Sequence, residues 1–166
     1  MGWRRVLLCL APLVLGSAVY AWMADFTLPI VRLEFAWSAR TAAEVTEGRV
    51  DEFRDAIAAD YPFLIGYTAT NVLACAWGWG RRPIGVTGCV LAVTAAVCDV
   101  LENLSLRAGL EHMDDAWFER AAVAAGVKFT LLSVAIVIAV AGMVRLARGT
   151  APSPDGPARR QEPSTP

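Results

Sequence analysis

The chain has a single lysine, Lys128, among fifteen basic residues, and a single histidine, His112. The shortage of lysine against arginine reads as genome composition. His112 falls in a polar stretch beside acids and is read as solvated, and no grouping of Ser, His and Asp suggests a nucleophile. The four cysteines, Cys9, Cys75, Cys89 and Cys98, form no CxxC pair and lie inside apolar runs, so they read as buried free thiols and give no redox or zinc site. Gly78, Gly80, Gly85 and Gly88 flank an apolar hairpin without the strand-to-helix context of a phosphate-binding loop. Net charge is −1, which offers nothing to attract nucleic acid. No cofactor is implied.

What the chain has in abundance is apolar residues, 56 % of 166, with a mean hydropathy of +0.46. That is outside the usual range for a soluble domain. Four runs account for it: 6–23, 63–79, 84–106 and 121–144. A membrane helix needs about 20 predominantly apolar residues, so the sequence predicts an all-α integral membrane bundle of four transmembrane helices over 1–148. The first run also resembles a signal peptide, with Arg4 and Arg5 before it and a small-residue site at Val19-Tyr20-Ala21. Its continuation through Trp22 and Met23 favours an uncleaved anchor. Pro62 suits the first turn of the second helix. Residues 149–166 hold five prolines and no apolar periodicity, the composition of a disordered tail.

Charge placement gives an orientation. The N-terminus, the 2–3 connection at Arg81 and Arg82, and the C-terminal region hold eight arginines against two acids, a net of +6. The 1–2 and 3–4 connections hold six arginines against twelve acids, a net of −6. Basic residues collect on the cytoplasmic side, so both termini are expected in the cytoplasm. Tyr20, Trp22, Tyr61 and Trp117 on one side, and Trp3, Trp77 and Trp79 on the other, suit two interfacial belts.

Residues 24–60, on the outer side, read as two amphipathic helices. Pro29 opens one with Ile30, Leu33 and Trp37 on one face, and Val50, Phe53 and Ile57 repeat the spacing after Gly48. Glu34 falls about 40° from Ile30 at roughly 100° per residue, within that apolar face. Either it sits at the edge and reaches water, or it points down towards polar groups of spans three and four.

Those groups are Asp99, Glu102 and Asn103, at i, i+3 and i+4 on one face of span three. The same face continues through Ala96, Ala95, Ala92, Gly88 and Gly85, small residues that permit close helix approach. Asp99 and Lys128 come out at roughly equal depth, about 10 Å at ~1.5 Å per residue, on adjacent antiparallel helices. An unpartnered charge at mid-membrane costs about 2.5–3.5 kcal/mol on insertion scales, so an ion pair is expected. Two acids then face one lysine. The excess is met by a second base, Arg107 or Arg120, by a protonated carboxyl, or by Glu102 lying in the wet interface. Asn71, midway along span two, adds an uncharged hydrogen-bonding group. Asp-x-x-Glu-Asn alone supplies too few oxygens for a metal site.

Leu33-Glu34-Phe35-Ala36, Asp60-Tyr61, Asp99-x-x-Glu102-Asn103 and Lys128-Phe129, in that order over about residues 5–146, resemble a group of small, uncharacterised bacterial four-span membrane proteins. The resemblance implies a bacterial plasma (inner) membrane setting and assigns no mechanism. The expected function is non-enzymatic: a buried centre of Asp99, Glu102, Asn103 and Lys128, with Glu34 and Asn71 as further candidates, that binds or conducts a small cation or proton. The alternative is a structural or accessory subunit in which the same residues fix packing, and a membrane-embedded enzyme comes third. The lipid bilayer is the expected partner, with a membrane protein or a second copy of the chain left open.

Overall fold

The computed structural model describes residues 2–23 and 28–149. Every regular element among them is a helix: α1 Gly2–Met23, α2 Ile30–Glu34, α3 Ala39–Thr46, α4 Val50–Trp79, α5 Pro83–His112 and α6 Asp115–Ala147. Of the 149–166 tail only Gly149 is described.

Three helices, α1, α5 and α6, are long and apolar enough to cross a membrane, as suits a membrane protein. The distribution of side-chain size agrees. Val86, Val90, Val93, Val97, Leu101 and Leu104 on α5 are exposed, while Gly85, Gly88, Ala92, Ala95 and Ala96 are buried. Large apolar groups outside and small ones inside is the arrangement expected where lipid is the solvent and helices gain by close approach. α4 is equally long but less apolar, because Tyr67, Thr68, Thr70 and Asn71 occupy its middle.

The close approaches are specific. α1 and α4 carry the same Pro-x-x-x-Gly pattern, Pro12 to Gly16 and Pro62 to Gly66, and cross there. A Cβ on Gly16 would lie 2.5 Å from the Pro62 carbonyl oxygen, and one on Gly66 would lie 2.6 Å from that of Pro12. α4 meets α6 at Gly78 and Gly142, where a Cβ on Gly142 would stand 2.6 Å from the Ala74 carbonyl oxygen. At that end Trp79 Nε1 donates to the Ile138 carbonyl (2.9 Å) and Arg145 Nε to the Gly78 carbonyl (3.1 Å). Trp79 is thus engaged within the bundle as well as suited to a belt.

The opposite end is built differently. Phe53, Ile57, Leu33, Leu106, Leu110 and Phe118 form a core of large side chains with Ala42 and Val45 of α3. This is packing of the soluble kind, in which burial itself stabilises, about 1.5–3 kcal/mol per large side chain. The cap is fastened by Ser38, whose Oγ accepts from Thr41 N–H at the start of α3, and by Asp115, whose Oδ1 accepts from Ala39 N–H (2.7 Å).

Four expectations change here. Of the 24–60 segment, residues 24–27 lie outside those described, and 28–60 holds not two amphipathic helices but the short α2, α3 and the first turns of α4, so Val50, Phe53 and Ile57 belong to the helix that carries the second apolar run. Pro62 lies inside α4, not at its start. Trp37 lies beyond α2, with a positive φ of 57°, and does not share a helical face with Ile30 and Leu33. The 3–4 connection also shortens to Met113 and Asp114, since α5 and α6 extend past the apolar runs, and His112 becomes the exposed last residue of α5.

Candidate functional site

α5 and α6 form an antiparallel hairpin, which sets their side chains at matching depth. The Lys128 ammonium lies 2.7 Å from Glu102 Oε2, 3.1 Å from Asp99 Oδ1 and 3.7 Å from Glu34 Oε1. All four residues are buried: Lys128 is 5 % exposed, Asp99 2 %, Glu102 0 % and Glu34 8 %. The expected Asp99–Lys128 pair is present, but it is one edge of a larger group.

Each element contributes for a local reason. On α5, Asp99 and Glu102 are one turn apart on the face that also buries Ala95, Ala96 and Asn103. On α6, Lys128 continues the buried face of Ala121, Ala125 and Ala135. Glu34 ends α2, directly after the fully buried Leu33 that anchors this short helix in the cap. Its carboxyl is therefore carried inward and does not reach water at the edge of a face. Burial pushes the Glu34 carboxyl above the ordinary carboxylate range, opposed in part by the Lys128 charge.

Two residues outside the expected set complete the group. Tyr67 donates its hydroxyl to Asp99 Oδ2 (2.7 Å). Asp60 Oδ2 accepts from Asn103 Nδ2 (2.9 Å). A sequence signal for both was present: Phe53, Ile57, Asp60, Leu64, Tyr67, Asn71 and Ala74 form one stripe at three- and four-residue spacing that runs straight across Pro62. Starting the helix at Pro62 hides it.

Other expectations are corrected. Asn71 is buried, but its amide donates to the Tyr67 carbonyl (2.8 Å) in its own helix and does not join the charged group. Asn103 is buried as expected and takes part through its bond to Asp60. Glu102 is fully buried, so it does not lie in a wet interface. Arg107 is exposed, and the Arg120 guanidinium lies over the Trp117 ring at 4.7 Å, so neither acts as the second base.

The resulting charge balance governs the chemistry. Three carboxyls surround one ammonium, and fully ionised they would leave two uncompensated negative charges in the interior. Buried groups in that position neutralise instead of remaining charged. Glu34 Oε2 and Glu102 Oε1 accept no hydrogen bond from the described residues.

A cavity of about 710 Å³ adjoins the group, lined at its polar end by Glu34, Asp60, Asp99 and Lys128. Ser17, Tyr20 and Ala21 of α1 form one wall, and Phe129 and Leu132 of α6 another. Compared with known protein families, curated proteins and solved structures, the chain gives no match in any of the three.

Proposed function

We propose that this chain is a four-span integral membrane protein whose Lys128, Glu102, Asp99 and Glu34 form a centre that binds and releases protons. The observation that carries this reading is the single Lys128 ammonium within 4.0 Å of three buried carboxyls. One of those charges is compensated; the others are held neutral by protons whose release depends on pH. The ammonium stands at the focus of the carboxyls, where an inorganic cation would have to sit, so protons are favoured over metal ions as the exchanging species.

α4 is taken as the fourth span despite its lower hydropathy. It packs against α1, α5 and α6, so less of its surface meets lipid, and three of its polar side chains are served inside the bundle. Tyr67 donates to Asp99, Asn71 to the Tyr67 carbonyl, and Thr70 Oγ1 accepts from Leu13 N–H (3.1 Å). The arginine distribution supports an orientation with both termini in the cytoplasm and the cap on the outer side, in a bacterial inner membrane as the resemblance implies.

Infrared spectroscopy of the protein in lipid nanodiscs tests the centre. A protonated carboxyl band is expected at neutral pH, titrating away as pH rises, and weakening in Glu102→Gln or Glu34→Gln. A spectrum with no protonated carboxyl at neutral pH would overturn the reading. A second reading is favoured by one observation: the same ion pairs tie α2, α5 and α6 together, as a purely structural clamp in an accessory subunit would. In that case protons stay bound across the whole range and removing the pair costs only stability.

A further inference from the structure

The cavity beside the centre is much larger than a proton or an inorganic ion requires. At about 710 Å³ it falls in the range of small-molecule sites, about 300–1,000 Å³. Its rim is open to the surroundings, for Val31 is 59 % and Phe129 40 % exposed.

Its chemistry is asymmetric. Glu34, Asp60 and Asp99 face Lys128 and the exposed Arg32, so the fully ionised lining carries an excess of one negative charge. Glu34 is 8 % exposed and its Oε2 accepts no hydrogen bond from the described residues, although the carboxyl lines the cavity. Aromatic rings make up much of the remaining wall. Tyr20, Phe63 and Tyr67 follow one another with centroids 5.9 Å and 5.7 Å apart. Phe129 lines the cavity from α6, stacked on Phe35 at 6.1 Å, and its ring already receives an ammonium, with Lys128 Nζ 4.7 Å from the centroid. Ring faces next to carboxylates select cations, and weakly hydrated organic cations most of all.

We infer that this cavity binds an amphipathic organic monocation of the ammonium or phosphonium class. Its charge lies between Glu34, Asp60 and the ring faces, and its apolar body lies against Ala21, Val31 and Leu132. The inference rests on the proton-binding reading: a bound cation takes over the compensating role of a proton, which leaves for solvent. The groups that face this exchange are Tyr20 on α1, Arg32 and Glu34 on α2, Asp60 and Tyr67 on α4, Asp99 and Glu102 on α5 and Lys128 on α6. A lipid chain could fill the apolar walls but would make no use of the acids.

The test is calorimetric titration of the full chain in lipid nanodiscs with tetraphenylphosphonium, against triphenylphosphine oxide as a neutral comparator of similar bulk, in weak buffer with a pH indicator. Saturable one-to-one binding of the cation with proton release is expected. At least tenfold weaker binding is expected for the neutral compound and for Glu34→Gln or Asp60→Asn. Leu132→Trp, which fills an apolar wall without touching the ion pairs, should abolish binding while the alkaline release of protons persists. Equal affinity for the neutral compound, or affinity unchanged in all three variants, overturns the inference in favour of an apolar occupant. No phosphonium binding with proton release on alkalinisation intact overturns the inference and leaves the proton centre standing. Loss of both in the unaltered protein brings down both.

Discussion

Lys128 Nζ lies nearer to Glu102 than to Asp99, 2.7 Å against 3.1 Å, across the seam of α5 and α6. Glu102 is also the acid with no exposed surface. Lys128 therefore does not serve one partner. It is the shared counter-charge of a group with more acids than bases, and its removal is the most damaging change the centre can undergo.

Lys128→Met should destabilise the protein by about 3–5 kcal/mol at neutral pH, the cost of stranding buried charges. Asp99→Asn should cost less, because an acid is in excess. In a double-mutant cycle read by unfolding in detergent, the double variant should recover only part of the Lys128→Met loss, since Glu102 and Glu34 remain. Full recovery would show an isolated Asp99–Lys128 pair.

Stability should depend on pH in a defined direction. Burial raises the Glu34 carboxyl above its unfolded value. Between the unfolded and folded values the folded state therefore holds more protons, so stability is greatest at and below the ordinary carboxyl range and falls as pH rises through the folded value. Glu34→Gln should flatten that slope, as measured by melting temperature against pH. A slope of opposite sign would mean that the acids are stabilised as carboxylates.

Gly16→Ala and Gly66→Ala should each cost about 1–3 kcal/mol or more, the range for overpacking. The added methyl would meet a backbone carbonyl of the facing helix, not a side chain able to turn away. Gly126→Ala is the control, because nothing lies within 4 Å of a Cβ there. If all three melt alike, the α1–α4 crossing is looser than described.

Reporter fusions at each end decide whether α4 crosses the bilayer. Four crossings return the chain to its starting side, so a cytoplasmic reporter should be active at both termini. Three crossings leave the ends on opposite sides, and one fusion would then respond only to a periplasmic reporter.

The buried face of α5 was legible in the sequence because its signal is local. Asp99, Glu102 and Asn103 repeat at helical spacing, in register with glycines and alanines that cannot face lipid as profitably as valine and leucine. Lys128 followed from depth alone, since an antiparallel hairpin fixes which residues are level. Asp60 and Tyr67 were obscured by a sound local rule applied in the wrong place. Proline suits a first turn, yet in α4 it is accommodated in mid-helix, with its carbonyl against Gly16. Glu34 was ambiguous because α2 is five residues long, too short for its periodicity to define a face.

Sequence by itself determined the helical class, the apolar runs, the uneven placement of charge and the inward face that carries two acids. These follow from hydropathy and the 3.6-residue repeat, which act along a single helix. Tertiary structure decided that three carboxyls share one ammonium, that Asn71 stays outside the group, and that a cavity adjoins it. Those outcomes depend on how α2 is anchored through Leu33 and how closely glycines let α1 approach α4. Both are contacts between distant segments, on which no local spacing bears.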